Sequence, residues 1–227
     1  MEQMKRRPAR RRAKRILFVL LFFLFLLWIY VGNTRIQITE LTYTSKKLPQ
    51  AFDGFRIAHL SDVHNGQFGE KQNHLLEQLE KTRPDIIVIT GDLIDSRRPS
   101  IPPAMELIEG AVKIAPVYYV TGNHEARTRV FTSLKKELEE AKVHLLDDSI
   151  LPLTKDQASI HIMGLRDPEF FSLSSREETS WMFLSKLEEM KKESQDFTIL
   201  LSHRPEHFAT YVESGVDLVF SGHAHGG

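Results

Sequence analysis

The chain has 227 residues, enough for one sizeable α/β domain and a short appendage. It contains no cysteine, which excludes disulfides and thiolate metal sites, so a metal ion would need nitrogen and oxygen ligands. The formal net charge is zero, but residues 1–15 contain eight Lys or Arg against one acid, so the remainder is acidic overall. Composition therefore gives no indication of a basic nucleic-acid-binding surface on the main domain.

An uncharged apolar run of sixteen residues, 16–31, follows the basic segment directly. It is slightly shorter than the roughly 20 residues that span a bilayer, but Arg15 can snorkel, and Trp28 and Tyr30 occupy positions typical of interfacial aromatics. A buried soluble helix, a twin-arginine export signal and a cleavable signal peptide are the alternatives, and no convincing small-x-small cleavage site follows. We expect an uncleaved signal anchor.

The basic cluster sets the orientation, because such clusters remain in the cytoplasm. We therefore expect a single-pass protein of the cell membrane whose amino terminus is cytoplasmic and whose catalytic domain is extracytoplasmic. The expected organisation is a basic cytoplasmic segment at 1–15, a transmembrane signal anchor at 16–32, a linker with an edge strand at 33–54, and one domain at 55–227.

Downstream of the anchor, apolar runs alternate with amphipathic segments, as in an α/β domain. The predicted strands occupy residues 35–43, 55–60, 85–90, 116–120, 143–146, 159–164, 197–201 and 216–220. The predicted helices occupy residues 70–83, 102–113, 128–141 and 177–192, and Pro205 is placed to start another. The run at 85–90 is almost continuously apolar, which indicates a sheet buried on both faces.

Polar motifs follow the ends of the predicted core strands. They are Asp-x-His at 62–64, Gly-Asp at 91–92, Gly-Asn-His-Glu at 122–125, His203, and Gly-His-x-His at 222–225. Ligands of α/β sheets bind outside the carboxyl ends of the strands, and the carboxylate, amide and imidazole groups found there suit a metal ion. Each motif is weak alone: Asp92 can be a helix cap, and His59, inside a strand, can be a core or supporting histidine.

Together and in this order, the motifs resemble those of the calcineurin-like metallophosphoesterase superfamily, and especially of its membrane-associated bacterial branch. The resemblance extends from about Phe55 to the last residue. It implies an αββα sandwich of two mixed sheets with the site at the strand tips. Family members continue beyond the final His pair into further strands, so we expect the domain to be truncated at Gly227 and its second sheet to be incomplete.

The resemblance also implies the ligands of two divalent metal ions. Asp62, His64 and His225 would hold one ion, Asn123, His203 and His223 would hold the other, and Asp92 would bridge them. His124 corresponds to the family's histidine that donates a proton to the leaving group or steadies the phosphate. Nitrogen and oxygen ligands suit Mn, Fe or Zn, and the sequence does not distinguish among these metals.

Two cations roughly 3.5–4 Å apart can activate a water molecule and stabilise the leaving oxygen of a phosphoric ester. We therefore expect a membrane-anchored, dinuclear metal-dependent phosphoesterase, an enzyme whose substrate is a phosphodiester or a lipid-linked pyrophosphate near the bilayer. Arg127 and Arg129 are candidate phosphate-binding residues, although ordinary solvated arginines fit equally well. The alternatives are a non-catalytic metal-binding scaffold of the same fold, a protein phosphatase or a nuclease; no nucleic-acid partner is expected.

Overall fold

The computed structural model describes residues 6–171, 173, 175–192 and 195–225, and within its first helix the side chains of 11–29 and 32. The helices are α1 (Arg6–Thr34), α2 (Asn73–Lys81), α3 (Ile101–Ile114), α4 (Asn123–Ala126), α5 (Phe131–Glu140), α6 (Arg176–Lys191) and α7 (Phe208–Ser214). The strands are β1 (Ile57–Leu60), β2 (Ile86–Thr90), β3 (Val117–Val120), β4 (His144–Leu145), β5 (Ser149–Lys155), β6 (Ala158–Gly164), β7 (Thr198–Ser202) and β8 (Leu218–Ser221). Residues 1–5 of the predicted basic segment and the last two glycines of the predicted domain lie outside the described residues.

Helix α1 belongs to a first unit, residues 1–40, and all the sheets belong to a second unit that begins at Leu41. The large apolar side chains of α1 between Ile16 and Ile29 are exposed. Within the described part of the chain, no helix combines the length and apolar content that crossing a membrane requires. The expected transmembrane helix at 16–32 is therefore not confirmed.

The predicted edge strand at 35–43 is wrong, because these residues form no regular element. Side-chain contacts rather than a backbone ladder hold the end of this segment and the residues just after it. The hydroxyl of Tyr43 donates to the carbonyl of Asp217 at 2.9 Å, and Lys47 Nζ donates to the Asp217 carboxylate at 2.9 Å. Loose alternation in the sequence indicated a strand, but a strand also needs a neighbour with which to pair.

The first sheet has the strand order β1-β2-β3-β4, and each described pair in it is parallel. It is therefore not the mixed sheet that was expected. Every residue of β2 is buried, as its continuous apolar run predicted. Because the strands are parallel, the carboxyl ends of β1, β2 and β3 meet at one edge.

The second sheet has the order β5-β6-β7-β8 and is mixed, since β5 is antiparallel to β6 while the other pairs are parallel. The sequence analysis missed β5. It contains Pro152, which argues against a central strand but is tolerated at a sheet edge, where β5 lies. The turn into β6 uses Asp156 and Gln157, both with positive φ, without the glycine that marks most such hairpins.

The two sheets pack face to face around an inter-sheet core formed by alternate residues of their central strands. Its members include Ile86, Val88, Tyr118, Val120, Ile160, Ile162, Ile199 and Leu201. An outer core on the far side of the second sheet joins Met163 and Leu200 to Phe183 of α6 and Tyr211 of α7. Ile87 and Ile89 are buried on the opposite face of β2, the face on which the helices that connect parallel strands pack. The layers thus follow the order α, β, β, α, as expected.

We expect Phe183→Ala to lower the free energy of unfolding by about 3–5 kcal/mol, because it removes a fully buried ring and leaves a cavity in the outer core. Trp181→Ala is the matched control on the same helix. Its side chain is 74% exposed, and we expect a change below about 0.5 kcal/mol. Urea denaturation followed by circular dichroism measures both variants, and equal losses would contradict this assignment of the outer core.

Candidate metal centre

The loops after β1, β2 and β3 lie against one another at the carboxyl edge of the first sheet. The amide of Asp62 donates to the carbonyl of Gly91 at 3.2 Å, and the amide of His64 donates to the carbonyl of Asp92 at 2.9 Å. Two glycines permit the close approach. Gly91 has φ of +90°, and a Cβ on Gly122 would lie 2.3 Å from Asp92 Oδ1. A larger side chain at either position would therefore separate the loops.

Glu125 joins two of these loops and is fully buried. Its carboxylate accepts the amides of Asp92 and Gly122, both at 2.8 Å, and the amide of Ile94 at 3.2 Å. Burial raises the pKa of Glu125 to about 7, the charge of Asp92 adds to the effect, and the three amide donors oppose it. Glu125 is part of the predicted Gly-Asn-His-Glu motif, but no local pattern indicated this supporting role.

The first predicted ligand set, Asp62, His64 and His225, converges in the structure, with one donor atom of each within 4.8 Å of the others. The Nε2 atoms of His64 and His225 are 3.3 Å apart, and both rings face Asp62 Oδ1, at 3.9 and 3.7 Å. Burial is the main cause of a lowered pKa at His64. A lowered histidine pKa favours the neutral ring, which is the form that binds metal.

The second predicted set also converges, around His203. Its Nε2 is 3.0 Å from Asn123 Oδ1 and 3.2 Å from Asp92 Oδ2, and its ring centroid is 5.0 Å from that of His223. Its Nδ1 lies 2.7 Å from the carbonyl of Thr90, to which it can donate only when it holds a proton. This contact leaves Nε2 of the neutral ring free to act as a ligand.

Asp92 lies between the two sets, because its Oδ2 is 3.7 Å from His64 Nε2 as well as 3.2 Å from His203 Nε2. Burial raises the pKa of Asp92, but the hydrogen bond and charge of His203 and the amide of His124 outweigh it and lower the pKa overall. In return, Asp92 and the Thr90 carbonyl raise the pKa of His203 against the effect of burial. The donor nitrogen and oxygen atoms of each group lie within 4.8 Å of one another, so divalent cations fit the residues present.

The same loops contain strained backbone. Positive φ angles occur at many of the candidate ligands although none of them is glycine: Asp62, His64, Asp92, His223 and His225. Such angles cost free energy and persist only where surrounding contacts enforce them. One such contact is the amide of His223, which donates to both carboxylate oxygens of Asp62 at 3.0 and 3.1 Å.

His124, the predicted proton donor, lies beside the first set, with its ring centroid 4.4 Å from that of His64. Its Nδ1 accepts the amide of Ser96 at 2.9 Å and lies 3.4 Å from Asp95 Oδ1. The sequence analysis missed Asp95 and Ser96, although they follow Asp92 closely. The only available signal was a second carboxylate three residues after the first.

The two predicted phosphate-binding arginines have different surroundings. Arg127 forms a two-bond ion pair with Glu169, in which Nε donates to Oε2 at 2.6 Å. Arg129 is exposed, and none of the ion pairs among the described residues includes it. The structure adds a cation that the sequence analysis missed, Arg204, whose Nη1 lies 3.4 Å from His223 Nε2.

His59 is a supporting residue rather than a ligand, as its place inside β1 indicated. Its Nε2 lies 2.8 Å from the hydroxyl of Thr90, and its ring packs against Phe220. A cavity of about 500 Å³ extends from His59 past Asp62 to His225. Solvent and small solutes can therefore approach the first ligand set from this side.

Comparison with known proteins agrees with this geometry. The model of the family described as calcineurin-like phosphoesterase matches residues 55–227. An uncharacterised metallophosphoesterase of Helicobacter pylori is 27% identical over 97% of this chain, which spans 58% of that relative. A transmembrane protein with a metallophosphoesterase domain from Danio rerio is 27% identical over 84% of this chain and 45% of its own length.

A solved structure agrees in fold. The crystal structure of phosphopantetheinyl hydrolase from Mycobacterium tuberculosis aligns with a TM-score of 0.53 at 16% identity, covering 75% of this chain and 83% of that one. At this identity the structural match shows the fold alone. The narrower assignment to a membrane-associated bacterial branch is not confirmed, because the relatives include vertebrate proteins.

We expect Glu125→Ala to lower the free energy of unfolding by about 3 kcal/mol or more, because it leaves three amides of the Asp92 and Gly122 loops without their acceptor. Mn²⁺ affinity, measured by calorimetry, should fall as well, since the same loops present Asp92 and Asn123. Glu140→Ala is the control, because its exposed side chain makes one surface ion pair with Lys136. Unchanged Mn²⁺ affinity in folded Glu125→Ala protein would contradict this role.

Proposed function

Since this chain belongs to the calcineurin-like phosphoesterase family, we propose that it is a dinuclear metal-dependent phosphoesterase. A single observation carries the proposal: one oxygen of Asp92 lies 3.2 Å from His203 Nε2 and 3.7 Å from His64 Nε2. A carboxylate between two imidazole-containing groups is the arrangement that a bridging ligand requires. The proposed ligands are the residues expected from the sequence: Asp62, His64 and His225 on one side, and Asn123, His203 and His223 on the other.

The proposed cofactors are two divalent ions, Mn, Fe or Zn, since nitrogen and oxygen ligands suit all three. When bound, two such ions supply Lewis acidity, which activates water at neutral pH and neutralises charge on the attacking and leaving oxygens. The residues of the chain fix the positions of these charges. Glu125 holds the loop of Asp92, and the Thr90 carbonyl orients His203.

We assign proton transfer to His124. Because Nδ1 accepts the amide of Ser96, the neutral ring holds its proton on Nε2. Proton donation requires the positively charged ring, in which both nitrogens hold protons. The Nε2 proton passes to the oxygen of the leaving group, and the neutral ring remains. Asp95, 3.4 Å from Nδ1, stabilises the ring when it is positively charged.

We further propose that residues 16–32 anchor the protein in a membrane and that the catalytic domain lies outside the cytoplasm. The exposed apolar side chains of α1 between Ile16 and Ile29 support an anchor, and the preceding arginines and lysines support a cytoplasmic amino terminus. The printed name of the Danio rerio relative, a transmembrane protein, agrees with this assignment. A site held near a bilayer favours a phosphodiester or a lipid-linked pyrophosphate as substrate.

We expect the Mn²⁺-loaded protein to hydrolyse bis-p-nitrophenyl phosphate, with release of p-nitrophenol as the measurement. Chelation should abolish the activity, and added Mn²⁺ should restore it. Asp92→Asn should abolish turnover because it weakens both ligand sets. His124→Ala should lower kcat by about 10²–10⁴-fold for an alkyl phosphodiester, whose leaving group needs a proton, and by less for this ester, because p-nitrophenolate leaves without one. Lys136→Ala, an exposed cation on α5, is the control and should leave the rate unchanged. Mn²⁺ binding without turnover of any ester would instead favour a metal-binding scaffold.

For the location of the domain, we expect protease added to bacterial spheroplasts to degrade a carboxy-terminally tagged protein, because residues after the anchor lie on the outer side. A cytoplasmic marker protein should survive in the same sample. Detergent-permeabilised spheroplasts provide the access control. Protection of the tagged domain in intact spheroplasts, with degradation after permeabilisation, would overturn the orientation.

A further inference from the structure

The loop between β6 and α6 places two acids beside the second ligand set. Asp167 and Glu169 lie on this loop, and both contact Arg204, the residue that follows His203. Arg204 Nη1 lies 3.4 Å from His223 Nε2. A cation is therefore held at the border of the proposed metal centre by residues that take no part in holding the metals.

Asp167 holds Arg204 through two hydrogen bonds from a buried position. Arg204 Nε donates to Asp167 Oδ2 at 2.7 Å, and Nη2 donates to Oδ1 at 3.0 Å. The Asp167 side chain has no solvent exposure, so it cannot rotate into water without leaving a buried charge without its partner. Asp167 thus fixes both the position and the plane of the guanidinium, whose Nη1 also lies 3.6 Å from Glu206.

The contacts of Glu169 are of a different kind. Its carboxylate accepts two bonds from Arg127 and one from Arg204 Nη2 at 3.2 Å. The Glu169 side chain is 31% exposed and that of Arg127 is 51% exposed, so water competes with this pair. Exposed pairs typically contribute about 0–1 kcal/mol, and a bidentate arginine such as Arg127 contributes more. The exposure of both side chains lets an incoming anion reach Arg127 and replace the Glu169 carboxylate as its acceptor.

The consequence of that replacement is unequal for the two arginines. Arg204 keeps Asp167 and Glu206, whereas Arg127 loses the only carboxylate that it contacts among the described residues. The positive charge that becomes available belongs to Arg127. One N–H of Arg204 Nη2 becomes free beside it, while the other stays on Asp167. Two guanidinium groups that face one point match the geometry of a phosphate.

We propose that Arg127 and Arg204 form a second anion site, which Glu169 closes in the free protein and which a second phosphate of the substrate opens by displacing Glu169. This inference rests on the proposed function, because the scissile phosphate would occupy the metal centre. Arg204 borders both this site and His223 of the second ligand set. We therefore assign the two phosphates to one molecule. The substrate class is thus a phosphoric ester with a second phosphate group near the scissile one.

Binding of two thymidine nucleotides to the Mn²⁺-loaded full chain tests the site. Thymidine 3′,5′-bisphosphate carries the second phosphate and thymidine 5′-monophosphate lacks it, and calorimetry gives both dissociation constants. We expect the wild-type protein to prefer the bisphosphate. Glu169→Gln should strengthen that preference about tenfold because the competing charge is gone, and Arg127→Ala should abolish it.

Lys136→Ala is the matched control, since it removes an exposed cation from α5 without touching this cluster. It should leave the preference of the wild-type protein unchanged. If Glu169→Gln and Arg127→Ala alter the affinities for both nucleotides equally, or alter neither, the second anion site is overturned.

Hydrolysis separates this inference from the proposed function. The 5′-(p-nitrophenyl phosphate) esters of thymidine, with and without a 3′-phosphate, share the scissile bond and the leaving group. If the wild-type protein and Glu169→Gln each hydrolyse the two esters at equal kcat/KM, the second anion site is wrong and the phosphoesterase proposal stands. If the binding preference changes in both variants but neither ester is hydrolysed, the phosphoesterase proposal is wrong and the second anion site stands.

Discussion

The candidate metal centre depends on one buried carboxylate, that of Glu125. It accepts amides from the loop after β2 and from the loop after β3, and so joins the residue between the two ligand sets, Asp92, to the loop of Asn123 and His124. The carboxylate lies where solvent cannot replace it. Each amide would otherwise be a buried donor without an acceptor, which costs about 1–3 kcal/mol. The link between the loops is therefore stable as long as Glu125 remains in place.

The sandwich supplies the frame for this link. Parallel strands bring the tips of β1, β2 and β3 to one edge, and the inter-sheet core brings the tips of β7 and β8 to the same region. His203 and His223 thereby reach Asp92 and Asn123 across the boundary between the sheets. The strained backbone angles at these tips fit the same account, because strong packing below them can maintain conformations that an isolated loop would leave.

Two groups of charged residues lie at the site, one among the candidate ligands and one beside them. In the first, Asp92 and His203 shift each other's pKa in opposite directions, and neutral His64 faces His225 and Asp62. In the second, Asp167, Arg204, Glu169 and Arg127 form a chain of alternating charges that begins in the interior and ends at the surface. The inner end of that chain is fixed by burial and the outer end is exposed to water. This difference in solvent exposure allows an incoming anion to displace Glu169 but not Asp167.

The sequence by itself determined the alternation of strands and helices and the positions of the polar strand tips, because hydrophobic periodicity and glycine-containing turns are local properties. It failed where pairing decides the structure. Residues 35–43 alternate but have no neighbouring strand, whereas β5 contains Pro152 and pairs along its full length at a sheet edge. It also placed Arg127 and Arg129 together as phosphate-binding candidates, although among the described residues only Arg127 pairs with an acid.

Tertiary structure alone decided which polar groups meet. Glu125, Asp95 and Ser96, and the cluster of Asp167, Glu169 and Arg204 act through contacts between segments far apart in the chain, and no local pattern encodes such distances. Only the tertiary structure shows that the Asp167 carboxylate is buried, whereas that of Glu169, two residues away, is partly exposed. An anion can therefore displace Glu169 but not Asp167. The physical reason is that burial and hydrogen bonding depend on which residues are close in space, whereas a sequence pattern shows only which residues are close along the chain.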